Sequence, residues 1–154
     1  MTLTWLHVTA YCSLHTKNRD QNDMTPEITM LLAVLGLLFV LTAIQVLMTM
    51  KQYGNISALS GRDDIPHLQP GLGGRMHRAI ANLKESLHIF TPLVLLTAIL
   101  GVSNGYTVLG AQIYLVARVL HAPLYLSGIA GLRTGAFAIG VIGLSLLAWG
   151  LFSG

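Results

Sequence analysis

The sequence predicts an all-α integral membrane protein, a bundle of four transmembrane helices forming one domain. Hydrophobic residues make up 53% of the 154-residue chain and charged residues only 10%. With a mean hydropathy of +0.65, this is far from the mix of a soluble domain. The apolar residues also fall in long runs, and about 20 in a row is what a helix needs to cross a hydrocarbon core of about 30 Å. A third observation goes beyond fold class. Two of the runs carry ionisable side chains at helical spacing, which a bilayer-facing helix avoids.

Residues 1–23 differ from the remainder, mixing Trp5, His7, His15, Lys17, Arg19, Asp20 and Asp23 without an apolar stretch of useful length. A secretory signal needs a basic start and an apolar region of about 7–15 residues, and neither is present. The segment reads as a polar tail, or as an extension upstream of a natural start at Met24, which leaves residues 24–154 as the membrane domain. Thr25-Pro26-Glu27 is a sound helix start, with Thr25 as N-cap, Pro26 in the first helical position and an acidic residue in the first turn. The first span is expected over residues 27–50. Its Thr42, Gln45 and Thr49 share one face, suited to hydrogen bonds between helices or to bordering a buried site.

Residues 51–74 form the one substantial loop, ending in Pro70-Gly71-Leu72-Gly73-Gly74, a density of Gly and Pro that predicts irregular chain. The glycines do not make a phosphate-binding loop, because no strand precedes them and no Gly-Lys-Ser/Thr follows. The second span is expected over residues 75–101, kinked about midway by Pro92. Residues 103–106 read as a tight uncharged turn, and residues 107–127 as the third span. A short link over residues 128–131 leads to Arg133-Thr134 and a fourth span ending near Phe152. There Ala136, Gly140 and Gly143 offer small-residue packing surfaces.

Four spans place both termini on one side of the membrane. Lys51, Arg62, Arg75, Arg78 and Arg133 all sit at the ends of the loops joining spans one to two and three to four. The positive-inside rule therefore makes those loops cytoplasmic and puts the termini opposite. Lys17 and Arg19 pull the other way but are balanced by Asp20 and Asp23. The formal charge of +3 comes without a dense basic cluster, which argues against nucleic acid as a partner. The single cysteine, Cys12, excludes an internal disulfide and a cysteine metal framework. The six histidines are scattered rather than paired as a zinc site requires, so no metal is expected.

At about 100° per residue, Arg75, Arg78, Asn82 and Glu85 fall within an arc of roughly 80° on the second helix. On the third, Arg118, His121 and Tyr125 share a face at spacing i, i+3, i+7. Taken singly, Arg75 and Arg133 are interface anchors, His121 a core histidine and Tyr125 an interfacial aromatic. Glu85 either pairs with Arg118, fixing helix register, or holds a cationic ligand group. Two polar stripes in one bundle imply a shared buried site. Its arginine forks suit carboxylates and its glutamate suits an ammonium. Glutathione carries two carboxylates, one ammonium and a thiol. An arginine beside that thiol lowers its pKa, which suggests activation of glutathione against an apolar electrophile dissolved in the bilayer.

The pattern Arg75-x-x-Arg78-Ala79-x-x-Asn82-x-x-Glu85, followed by Arg118-x-x-His121-x-x-x-Tyr125 and by Arg133, resembles the MAPEG family. These are the membrane-associated proteins of eicosanoid and glutathione metabolism, which include the microsomal glutathione transferases. The resemblance covers about residues 25–152. It implies a four-helix bundle assembled as a homotrimer, with glutathione as co-substrate between protomers near the cytoplasmic side. By that resemblance, Arg78 binds a glutathione carboxylate, Asn82 hydrogen-bonds it and Glu85 holds the γ-glutamyl ammonium. Arg75, Arg118, His121, Tyr125 and Thr134 complete the glutathione pocket, and Arg133 faces the thiol as the catalytic residue.

The sequence departs from the family pattern at several positions. Lys51 is the only basic residue at the end of the first span, and Ala81 and Ser86 stand where some members place an Arg and a Tyr that touch glutathione. Phe137 lacks a hydroxyl, and Pro92 lies further beyond Glu85 than usual. The expected activity is a glutathione-dependent transferase or peroxidase acting on a lipophilic small molecule. A non-catalytic binding or scaffold protein of the same fold is the alternative, and a small transporter or proton-relay subunit a third reading.

Overall fold

A computed structural model gives the structure and describes residues 24–53, 71–127 and 130–154. The tail over residues 1–23, the middle of the loop between spans one and two, and residues 128–129 lie outside the described residues. The described chain forms α1 (Pro26–Tyr53), α2 (Leu72–Leu100), α3 (Gly105–Ser127) and α4 (Ala130–Ser153). All four are long and apolar enough to cross a membrane. Helices of 23 to 29 residues are roughly 35–44 Å long, so their ends reach the headgroups on both sides.

Local sequence accounts for most of the helix ends. At the start of α1 the Ile28 N–H donates to Thr25 Oγ1 at 3.5 Å, the cap expected of Thr25. α2 ends at Gly101, whose φ of 65° is left-handed and open to glycine at little cost. The Gly101 N–H then reaches the Ala98 carbonyl and the Val102 N–H the Thr97 carbonyl, the paired bonds of a Schellman motif. Two residues on, Asn104 caps α3 by accepting the Tyr106 and Thr107 N–H groups, each at 3.0 Å, on Oδ1.

Two expectations need correction. α2 begins at Leu72 and runs through Gly73 and Gly74, a turn earlier than the irregular chain expected there. Glycine weakens a helix by about 1 kcal/mol per residue, but Gly74 is buried, and tertiary packing overrides that cost. On α1, Thr42 donates to Leu38 O at 2.8 Å and Thr49 to Gln45 O at 2.9 Å. These hydroxyls satisfy themselves within their own helix. Only Gln45 reaches across, to His77 at 3.2 Å. α2 also stays helical through Pro92, and α3 through Pro123.

α3 is the organising helix. It packs most extensively on α4, and α1 lies across α2 and α3; among the described residues α1 and α4 do not touch. The α3–α4 contact brings backbone to backbone. A Cβ on Gly110 would stand 2.6 Å from Leu147 N and 2.7 Å from Gly143 O, and one on Gly143 2.8 Å from Tyr114 N. Small residues thus close the seam where lipid offers no hydrophobic drive. The core is fully buried at Val34, Phe90, Val94, Tyr114 and Leu147. Large apolar side chains such as Phe39, Ile99 and Phe152 point outward, as suits a lipid-facing surface.

At the α2–α3 corner, Glu27 from the first turn of α1 is fully buried. Ser103 donates to its carboxyl at 3.0 Å and Thr107 at 2.6 Å, while Asn104 Nδ2 donates to Gly150 O at 2.9 Å. This clamp joins the starts of α1 and α3 to the end of α4, so both ends of the four-span unit lie at one level. Glu27→Ala leaves the Ser103 hydroxyl without its acceptor and Thr107 with only the Asn104 carbonyl at 2.9 Å, and should cost about 1–3 kcal/mol. A lowered melting temperature in detergent, with Glu27→Gln falling between the two, is the expected reading. Gly110→Val should lower it further, because the added methyls meet backbone that cannot move aside.

Candidate functional site

The opposite end of the bundle holds the polar side chains. Its centre is Arg118 on α3, only 3% exposed. Arg118 Nη1 donates to Asn82 Oδ1 on α2 at 3.3 Å. The guanidinium carbon sits 5.0 Å from the centre of the Tyr114 ring and 5.8 Å from that of Phe137, a cation held between two aromatic faces. Its Nε and Nη2 have no hydrogen-bond partner among the described residues. Gly140 makes room for it: a Cβ there would stand 3.2 Å from Nη2.

Beneath the arginine lies a polar relay. Tyr114 donates to Ser86 Oγ at 2.8 Å, and Ser86 donates to Leu83 O at 2.8 Å. Phe90 stacks on the Tyr114 ring at 4.0 Å. The α2–α3 seam is therefore sealed by one phenol and one guanidinium, with Ser86 on α2 receiving the hydroxyl from α3.

Further toward the same end, buried His121 lies 5.5 Å from the Tyr125 ring. The Arg133 guanidinium on α4 stacks 4.8 Å over that ring. Thr134 is exposed beside it. Arg75, half-buried in the first turn of α2, donates through Nη1 to Leu126 O at 3.0 Å, satisfying one of the carbonyls left open at the end of α3.

The structure thus brings together Asn82 with Arg118, His121 with Tyr125 and Arg133, and Arg75 with the end of α3. It does not bring Glu85 to Arg118. Glu85 and Arg78 are exposed on the flank of α2, and Asn82 takes the arginine instead. The cause is angular, since Glu85 lies about 60° around the helix from Asn82 at 100° per residue. Tyr114, Phe137 and Gly140 were not among the expected site residues. Extending the α3 stripe back by one turn, to spacing i, i+4, i+7, i+11 from Tyr114, would have found the first.

These features define a four-span helical membrane protein with an arginine-rich polar end. The model of the MAPEG family matches residues 28–153, and the chain belongs to that family. Comparisons with curated proteins and with solved structures return no match. Proteins of the MAPEG family use glutathione. Among the described residues there is no cluster of His, Cys, Asp and Glu able to hold a metal ion.

The Asn82–Arg118 contact is testable by a double-mutant cycle. Asn82→Leu should cost about 1.5–3 kcal/mol by leaving a buried cation without its acceptor. Asn82→Leu combined with Arg118→Met should lose less than the sum of the single changes, because an apolar pair needs no solvation. Denaturant or thermal unfolding in detergent reads both.

Proposed function

We propose that the protein is a membrane-bound glutathione-dependent transferase or peroxidase acting on lipophilic electrophiles. Glutathione lies between protomers of a homotrimer, near the leaflet at the Arg75 end, which the basic residues make cytoplasmic. One observation carries this reading: Arg78 and Glu85 are exposed on α2 beside the Asn82–Arg118 pair. Glu85 stands 15 residues before the end of α2 at Leu100, or about 22 Å along its axis, well inside a core of about 30 Å. Lys84 and His88 are exposed at similar depth. Lipid cannot solvate these groups, so a polar ligand and a second copy of the chain must cover them.

The donor set fits glutathione. Arg78 and Asn82 suit a carboxylate and Glu85 the γ-glutamyl ammonium. The unmatched N–H groups of buried Arg118 call for an anionic or carbonyl acceptor nearby. His121, Tyr125 and Thr134 line the same end. Arg133, steadied by the Tyr125 ring, faces the thiol and favours its thiolate. That sulfur then attacks the electrophile: in conjugation, an S–C bond forms as the leaving group departs or a strained ring opens. Low dielectric around the site makes the guanidinium's stabilisation of charge larger than it would be in water.

Calorimetric titration of detergent-purified protein with glutathione tests the reading. Saturable binding should be lost in Glu85→Ala. The ultraviolet absorbance of a bound thiolate should vanish in Arg133→Ala, with kcat/KM falling about 10²-fold toward a conjugation substrate. A folded protein that binds no glutathione at millimolar concentration would refute it.

A further inference from the structure

An apolar groove of about 430 Å³ runs between α1, α2 and α3 on the Arg75 half of the bundle. Leu37, Leu41 and Met48 on α1, Met76 on α2, and Val119 and Leu126 on α3 are among its walls. Nothing acidic lines it. From Leu37 to Met48 the α1 wall extends about 16 Å along the helix axis, which is half a bilayer core. Its sides open toward lipid: Val119 is 47% exposed.

The mouth of the groove is cationic. Leu126, which lines it, accepts the hydrogen bond from Arg75 Nη1 at 3.0 Å. Lys51, exposed, stands one turn beyond Met48 in the last turn of α1. Two cations at headgroup height over an apolar slot between transmembrane helices match an anionic headgroup above an acyl chain.

We infer that this groove is a site for an anionic phospholipid, one acyl chain lying between α1, α2 and α3 and the phosphate meeting Arg75 and Lys51. The second chain stays in the surrounding bilayer, which the open side of the groove permits. The site is separate from the Asn82–Arg118 pair; Arg75, which the family resemblance expects in the glutathione pocket, instead bonds the end of α3 beside this groove.

Native mass spectrometry of delipidated, detergent-solubilised full-length protein tests it, with phosphatidylglycerol and phosphatidylcholine of identical chains as the probes. The wild type should retain one phosphatidylglycerol per chain with about 5-fold preference or more over phosphatidylcholine, the effect of one basic residue near a charged surface. Arg75→Gln should keep phosphatidylcholine binding and cut the preference about 5-fold, while Arg75→Lys restores it. Val119→Trp, a change at an exposed position, should fill the slot and weaken both lipids. Equal binding of the two lipids by the wild type would overturn the inference. So would undiminished binding in Val119→Trp, or retention of palmitate in place of the phospholipid.

Discussion

The close approach of α3 to α4 sets the positions of nearly everything else in the bundle. Gly110 and Gly143 present no side chains to one another, so the two backbones touch. With that contact fixed, the rest of the seam follows by helical repeat. Two turns from Gly110, Arg118 meets Gly140; in the other direction, Asn104 reaches the Gly150 carbonyl and Thr107 lies against Gly150. A bulkier residue at the crossing would push α4 outward and withdraw both Gly140 and Phe137 from the guanidinium. In lipid, where apolar burial drives little association, such steric closeness is what holds helices in register.

The bundle separates its polar groups into two kinds. At one end, Glu27, Ser103, Asn104 and Thr107 satisfy one another inside a single chain, and no arginine is involved. At the other, guanidinium groups outnumber their acceptors. Arg118 has two nitrogens, Nε and Nη2, without hydrogen-bond partners among the described residues, Arg133 rests on an aromatic face, and Arg78 and Glu85 are exposed. A closed polar set belongs to architecture, whereas an incomplete one at membrane depth calls for something outside the chain.

How much of this was legible in the sequence depended on periodicity. The four spans are long and predominantly apolar, and the two polar stripes within them repeat at helical intervals, so both could be read directly. The partner of Arg118 could not. Asn82 and Glu85 share a stripe, and choosing between them requires the rotation of α2 about its axis relative to α3, which only three-dimensional packing determines. Glu27 was read as a first-turn acid stabilising its own helix, because the hydroxyls that bury it are far away in sequence. Thr42 and Thr49 gave the opposite error: they lie on one face, yet each bonds back to its own helix because a carbonyl four residues earlier is always within reach.

The Glu27 clamp bears on the order in which the chain assembles. Its two hydroxyl partners lie 76 and 80 residues further along. When α1 enters the membrane, neither has yet been placed, and water at the headgroup level is the only company available to that carboxyl. That carboxyl gains its two hydroxyl partners only once α2 has crossed and the start of α3 has arrived at the same surface.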